Sequence, residues 1–127
     1  MKSILIVFIG AGAGGVIRHW INLLAGRWWG TDFPFGTLAI NVTGSLLMGL
    51  LVGWLAFKAT ENWSQPLRLF LATGLLGGYT TFSTFSLETI LLIERNELGM
   101  AAAYVALSLL LGFVGLWAAL MLMRSLG

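Results

Sequence analysis

The chain has 127 residues, of which 58% are hydrophobic and only 9% charged, with a mean hydropathy of +0.92; a soluble domain carries about 25% charged residues. Seven Lys and Arg and five Asp and Glu cannot give a soluble domain of this size a polar surface, so most of the chain must face lipid. The net charge of +2 comes from basic residues scattered singly, with no patch for nucleic acid, and the absence of cysteine excludes disulfides, thiolate metal sites and cysteine nucleophiles.

A helical span needs about 20 predominantly apolar residues, and four segments qualify. The first predicted span covers about 3–25, with the uncharged stretch SILIVFIGAGAGGVI closed by Arg18. Lys2, this apolar run and the small residues of GAGAGG imitate a cleavable signal peptide, but the apolar pattern continues past Arg18 with no sign of a soluble mature domain. The second span, about 36–57, carries no charge; the third, about 66–93, has Arg68 near its start and Glu88 in its last third; the fourth, about 98–123, is again uncharged. The connections, about 26–35, 58–65 and 94–97, are too short for an extramembrane domain. The expectation is one all-α, four-span integral membrane domain over residues 1–127.

The Lys and Arg bias that orients membrane proteins barely exists here. An even number of spans collects Lys2, Lys58, Arg68 and Arg124 on one side and Arg27 and Arg95 on the other, joined by Arg18 if it reaches the interface. A chain with so weak an instruction can insert both ways, and two oppositely inserted copies can pair about a twofold axis in the membrane plane. An antiparallel homodimer is therefore expected. Gly10 and Gly14, Gly49 and Gly53, and Gly74 and Gly78 each stand four apart, the small-residue spacing that lets helix backbones approach; they point to close packing, not to function.

Polar residues recur at helical spacing. Thr37, Asn41 and Ser45 share one face of the second span, and Thr43 lies elsewhere. A buried Asn in hydrocarbon needs a partner, and hydrogen bonding between helices is the simplest account of the stripe. Tyr104 and Ser108 form a similar pair on the fourth span, where the stripe stops at Gly112. The third span is the least ordinary. Its 28 residues would make a helix of about 42 Å against a hydrocarbon core of about 30 Å, so it must tilt strongly or be interrupted.

Gly77 and Gly78 followed by Tyr79, Thr80 and Thr81 join the weakest helix former to β-branched residues near the middle of that span, and an interruption is expected there. Carbonyls freed at such a break cannot be left bare in lipid. Hydroxyls and water can repair the kink; alternatively, in an antiparallel dimer, two breaks meeting on the twofold axis can offer four carbonyl oxygens to one hard cation such as Na⁺.

Phe82 and Phe85 share a face and alternate with Thr81, Ser83, Thr84 and Ser86. Packing is one account of the rings. The other is a pore lining, since a phenyl edge is partly positive and can face a small anion without a full charge that would trap it. Glu88, a carboxylate within a span, is a functional candidate and equally a structural one. Arg18 either snorkels to the interface or draws anions into a vestibule. His19 has no second ligand at metal-binding spacing.

These residues resemble the bacterial fluoride channels, the Fluc or CrcB family, through GAGGVIRHW (12–20), GTLAINVTG (36–44) and above all GLLGGYTTFSTFSLE (74–88), with the similarity running across all four spans. The resemblance implies a dual-topology, multi-pass protein of the cell inner membrane, an antiparallel dimer whose two separate pores export fluoride passively from the cytoplasm and protect against its toxicity. It implies that Phe82 and Phe85, from different subunits, present ring edges to the ion and that Asn41 donates its amide to it. Ser83, Thr84, Tyr104 and Ser108 would belong to the polar path, with Glu88 beside it and Arg18 and Thr37 toward the vestibule. Gly77 and Thr80 would give backbone carbonyls to a central structural Na⁺. Two positions depart from the family pattern: Gly112, where a further hydroxyl is common, and Tyr79, which is commonly aliphatic and to which no role attaches.

Other classes fit less well. A proton-coupled exporter of the small multidrug type needs a titratable carboxylate, usually in the first span, which has none; Glu88 would have to serve. A scaffold has little reason to accept polar residues at mid-span. No Ser and His pair, metal-ligand cluster or carboxylate dyad marks an enzyme.

Overall fold

A computed structural model describes residues 1–30, 32–57 and 64–126. Lys58, and with it most of the expected 58–65 connection, lies outside the described residues.

Among the described residues, three helices are long and apolar enough to cross a membrane by length and composition: Lys2–Trp29, Phe35–Leu55 and Leu98–Leu126. We label the elements α1 (Lys2–Trp29), α2 (Phe35–Phe57), α3 (Ser64–Arg68), a π-helical stretch (Leu69–Leu76), α4 (Gly77–Tyr79), α5 (Phe82–Glu94) and α6 (Leu98–Leu126). α1 runs past the expected apolar span through Arg27, Trp28 and Trp29, residue types suited to a membrane interface. It stops at Gly30, whose φ of 79° a residue with a side chain rarely adopts and whose N–H still caps the Gly26 carbonyl.

The third predicted span is broken, as its length required. The break falls on Thr80 and Thr81, both extended (φ −84°, ψ 158° and φ −151°, ψ 125°), while Gly77 remains helical at φ −62°, ψ −40°. The break thus falls within the expected 77–81 stretch, on its β-branched threonines and not on the two glycines. Their lack of a side chain serves packing instead: a Cβ on Gly78 would lie 2.3 Å from the Ala11 carbonyl oxygen. The π-helical stretch before the break is itself a rare geometry, found mostly as short insertions and often near functional positions.

Two helix pairs make the bundle. α1 lies against the π stretch and α4 so closely that a Cβ on Gly10 would meet the Phe70 carbonyl oxygen at 2.6 Å. α2 lies against α6, where a Cβ on Gly49 would sit 2.5 Å from the Leu116 carbonyl oxygen. These are the small-residue approaches by which membrane helices associate without a hydrophobic driving force. The pairs join through a cluster of Ile40, Leu76 and Tyr79, and through a second of Leu92, Ala101 and Tyr104 capped by Phe33 and Phe85. The α5–α6 turn uses Asn96 at φ 61°, a conformation Asn tolerates better than most residues. Beside it, the Arg95 guanidinium donates to the Asp32 carbonyl at 2.9 Å, which puts this turn and the α1–α2 turn at one end of the bundle. Phe8, Trp20, Leu110, Phe113 and Trp117 point outward and exposed, the surface expected of a chain solvated by lipid.

Candidate functional site at the helix break

A break inside a bundle strands backbone groups that no helix satisfies, and side chains reach in to pair them. Asn41 on α2 meets Thr81 with both ends of its amide: Oδ1 accepts the Thr81 N–H at 2.9 Å and Nδ2 donates to the Thr81 carbonyl at 3.0 Å. Thr81 in turn caps α5, its Oγ1 accepting the N–H of Thr84 at 3.2 Å. Thr80 Oγ1 donates back to the Leu76 carbonyl at 3.1 Å.

These pairings have a consequence for two carbonyls. In a continuous helix the Gly77 and Thr80 oxygens would accept from the N–H groups four residues on, those of Thr81 and Thr84. Both N–H groups are turned to side chains instead, to Asn41 and to Thr81 Oγ1. The two oxygens are hard, uncharged ligands of the kind that suits Na⁺. Their chemistry fits a cation held by backbone.

Beside the break lies a cavity of about 300 Å³ walled by the polar Asn41, Ser45, Thr80, Thr81 and Ser108, the rings of Phe82 and Phe85, and the apolar Met48, Leu109 and Leu116, with no charged residue among the described residues that line it. Asn41 keeps an amide hydrogen beyond the one given to Thr81, because a carboxamide has two. The Ser108 hydroxyl is buried and makes no hydrogen bond among the described residues, and the same is true of Thr37 Oγ1. A donor left unpaired inside a bundle costs about 1–3 kcal/mol, so each is a position where a water or another acceptor can bind.

The rings form a continuous row. Phe82 and Phe85 have centroids 6.1 Å apart, Phe85 and Tyr104 5.1 Å, and Tyr104 meets Phe33 edge-on at 5.7 Å. Tyr104 is fully buried and donates its hydroxyl to Glu88 Oε1 at 3.1 Å. Glu88 also faces a second, smaller cavity of about 100 Å³ near the α1–α2 turn, with Asn22, Gly26 and Gly36 in its wall. The row of rings therefore links an uncharged cavity at the break to a polar one holding a carboxylate.

Of the residues picked out by sequence, Asn41, Thr80, Phe82, Phe85 and Ser108 converge on the break cavity, and Tyr104 with Glu88 lies at the far end of the row of rings. Phe82 is 79% exposed, so one side of the cavity's aromatic wall is open to whatever surrounds a single chain. Ser83 is exposed, with its Oγ 3.4 Å from Thr81 Oγ1, and Thr84 meets the network through its backbone rather than lining the cavity. Gly77 is exposed. Arg18 is half-buried on α1 and lines neither cavity. Thr81, Ser45 and Asn22 received no site role from sequence. A signal for Thr81 was present, since a threonine directly before an amphipathic run is a common helix cap; Asn22, isolated between apolar neighbours, gave none.

The family described as CrcB-like protein, Camphor Resistance (CrcB), matches residues 5–120. A relative from Nitrobacter hamburgensis named fluoride-specific ion channel FluC 2 is 55% identical over 122 residues, 96% of this chain and 97% of its own. A fluoride-specific ion channel FluC from Beijerinckia indica is 55% identical over 126 residues, 99% of each chain. One from Methylobacterium nodulans is 52% identical over the full length of both. With similarity at this level along essentially its whole length, the chain belongs to the CrcB family of multi-pass membrane proteins.

Proposed function

We propose that this chain is a fluoride-specific ion channel that lets fluoride leave the cytoplasm passively across the inner membrane and so protects the cell from it. The observation that carries the reading is the uncharged cavity at the break, whose wall combines a carboxamide, hydroxyls and two phenyl rings. Relatives more than half identical and named fluoride-specific ion channels supply the ion.

The physical problem is dehydration. Fluoride holds its water tightly, so a pore must replace that shell with many weak donors, each too weak to retain the ion. The free amide hydrogen of Asn41, the Ser108 hydroxyl and the edges of Phe82 and Phe85 act in that way, and Ser83 and Thr84 extend the polar path. The narrow passage between rings excludes larger halides. Tyr104 and Glu88 form the far stage of the path, and Arg18 and Thr37 draw anions toward the vestibule.

The functional unit is two copies in opposite orientation with two pores. The exposed Phe82 ring supports this, because beside its own cavity it can also complete a partner's. In such a dimer the Gly77 and Thr80 carbonyls of both copies would hold one Na⁺, and the ion would supply positive charge near the breaks.

Proteoliposomes loaded with fluoride or chloride and read with ion-selective electrodes, with and without Na⁺, test the proposal. Fluoride efflux far exceeding chloride efflux is expected, and Phe82→Ile is expected to abolish it while the dimer still forms on size exclusion. Absence of fluoride efflux from the unmodified protein would overturn the channel reading; normal efflux from Phe82→Ile would overturn only the pore assignment.

A further inference from the structure

The break is gripped by α2 at three successive residues, and only one of the three grips lies wholly outside the cavity's lining. Thr81 is held by Asn41. Thr80 is seated on Gly44, where a Cβ would lie 2.3 Å from the Thr80 methyl group. Tyr79, the last helical residue before the break, is buried, and its hydroxyl lies 2.8 Å from Thr43 Oγ1.

The direction of this last bond follows from proton accounting. The Thr43 hydroxyl reaches two carbonyls one turn back on its own helix, Ala39 at 2.6 Å and Ile40 at 3.2 Å, and its single proton serves these. Tyr79 must therefore donate and Thr43 accept. These carbonyls fix the Thr43 hydroxyl, and that hydroxyl fixes the end of a large ring that otherwise packs in an apolar cluster with Ile40 and Leu76.

Neither Tyr79 nor Thr43 lines the break cavity, whereas Thr80 and Thr81, immediately after Tyr79, do. We infer, resting on the channel reading proposed above, that the Tyr79–Thr43 hydroxyl pair is a positioning device for permeation: it sets where helical structure ends before the break and hence how Thr80 and Thr81 present themselves to the cavity. Asn41 pins the C-terminal side of the break and Tyr79 its N-terminal side, so Thr80 is stretched over Gly44 between two fixed points on one rigid helix.

Unitary fluoride currents in planar bilayers, measured for Tyr79→Phe, Thr43→Val, their double variant and Thr43→Ser, test this. Each of the first two removes one hydrogen-bonding atom and little volume, and each is expected to lower the unitary current about fivefold, the factor that one net hydrogen bond of about 1 kcal/mol represents. The double variant is expected to lose no more than the worse single variant, as for two residues acting through one bond. Thr43→Ser keeps the acceptor and is expected to restore the current. Unchanged unitary current in Tyr79→Phe or Thr43→Val would overturn the inference. So would losses that multiply in the double variant, or variants that merely yield less stable protein and fewer active channels while each surviving channel conducts as before.

Discussion

The two faces of the broken segment are held by opposite means. Toward α1, backbone meets backbone: Gly10, Gly14 and Gly78 have no room for a side chain, and the atoms they touch are main-chain atoms of the π stretch, α4 or α1 itself. Toward α2, side chains meet backbone or each other through hydrogen bonds from Asn41 and Thr43. The dry face fixes where the segment lies, by shape. The polar face fixes how it is interrupted, by satisfying groups that the interruption exposes. A membrane protein can keep an extended stretch inside a bundle only where both exist together, since a break without a polar face would bare its carbonyls and a polar face without close packing would admit lipid or water.

The largest effect is expected on the dry face. A Cβ on Gly14 would stand 2.0 Å from the Leu75 carbonyl oxygen and 2.7 Å from the Tyr79 nitrogen, both backbone atoms that no rotamer change can move. Overpacking in a core costs about 1–3 kcal/mol where side chains can give way, and here they cannot. Gly14→Ala is expected to abolish recovery of a monodisperse protein in detergent. Gly12→Ala and Gly15→Ala, on the same helix with nothing within 4 Å of the added carbon, are expected to behave as wild type. Equal yields from all three would show that this face is not fixed by shape.

The polar face is expected to fail more gently and in a separable way. Asn41→Ala leaves the Thr81 N–H and carbonyl without their partner, at about 1–3 kcal/mol for each unpaired group. Thermal stability should fall clearly and fluoride efflux should stop. Asn41→Asp retains an acceptor for the Thr81 N–H but, when ionised, cannot donate to the Thr81 carbonyl and adds a negative charge beside the cavity. It is expected to be more stable than Asn41→Ala and equally inactive in liposome efflux. If the two variants lost stability to the same extent, the Thr81 N–H bond would contribute nothing to holding the break.

How far these two faces could be read in the sequence differs for a physical reason. Apolar length and period gave an all-helical membrane bundle and an interrupted third span, because those depend on composition over 20 or more residues. The glycine spacing pointed to close packing, and Gly10, Gly14, Gly74 and Gly78 do pack backbone against backbone. The break was expected where Gly77 and Gly78 run into Tyr79, Thr80 and Thr81, and within that stretch it lies on the two threonines. What decides its place is tertiary: α2 offers a carboxamide at Asn41 where Thr81 arrives, 40 residues away in sequence. No local pattern contains that fact. The same holds for Tyr79, which sequence comparison by residue type left without a role; its partner Thr43 is 36 residues distant and off the Thr37–Asn41–Ser45 stripe. The uncharged character of the cavity was legible, since the alternation of rings and hydroxyls from Thr81 to Ser86 is local. Ser108 was assigned to the path through the family resemblance, whereas Ser45, read only as part of a polar stripe, joins the wall because α2 and α6 lie side by side.

The smallest effect tests whether glycine marks shape on every interface or only where backbones touch. Gly112 is buried on α6 opposite α2, yet the nearest atom to an added Cβ would be the Ser45 hydroxyl oxygen at 3.5 Å, an ordinary contact. Gly49, facing α6 from α2, would instead meet the Leu116 carbonyl oxygen at 2.5 Å. Gly112→Ala is therefore expected to be accepted without loss of yield. Its thermal stability should rise slightly or stay level, because Ala in a helix interior is favoured over Gly by about 1 kcal/mol and the added methyl group finds space. Fluoride efflux should be unchanged, since Gly112 does not form the wall of the break cavity and Ser45, which does, need not move. A loss of fold in Gly112→Ala comparable to that of Gly49→Ala would mean that α2 and α6 approach more closely than the Ser45 contact implies, and the distinction between a face fixed by shape and one fixed by polar pairing would then not extend to this helix pair.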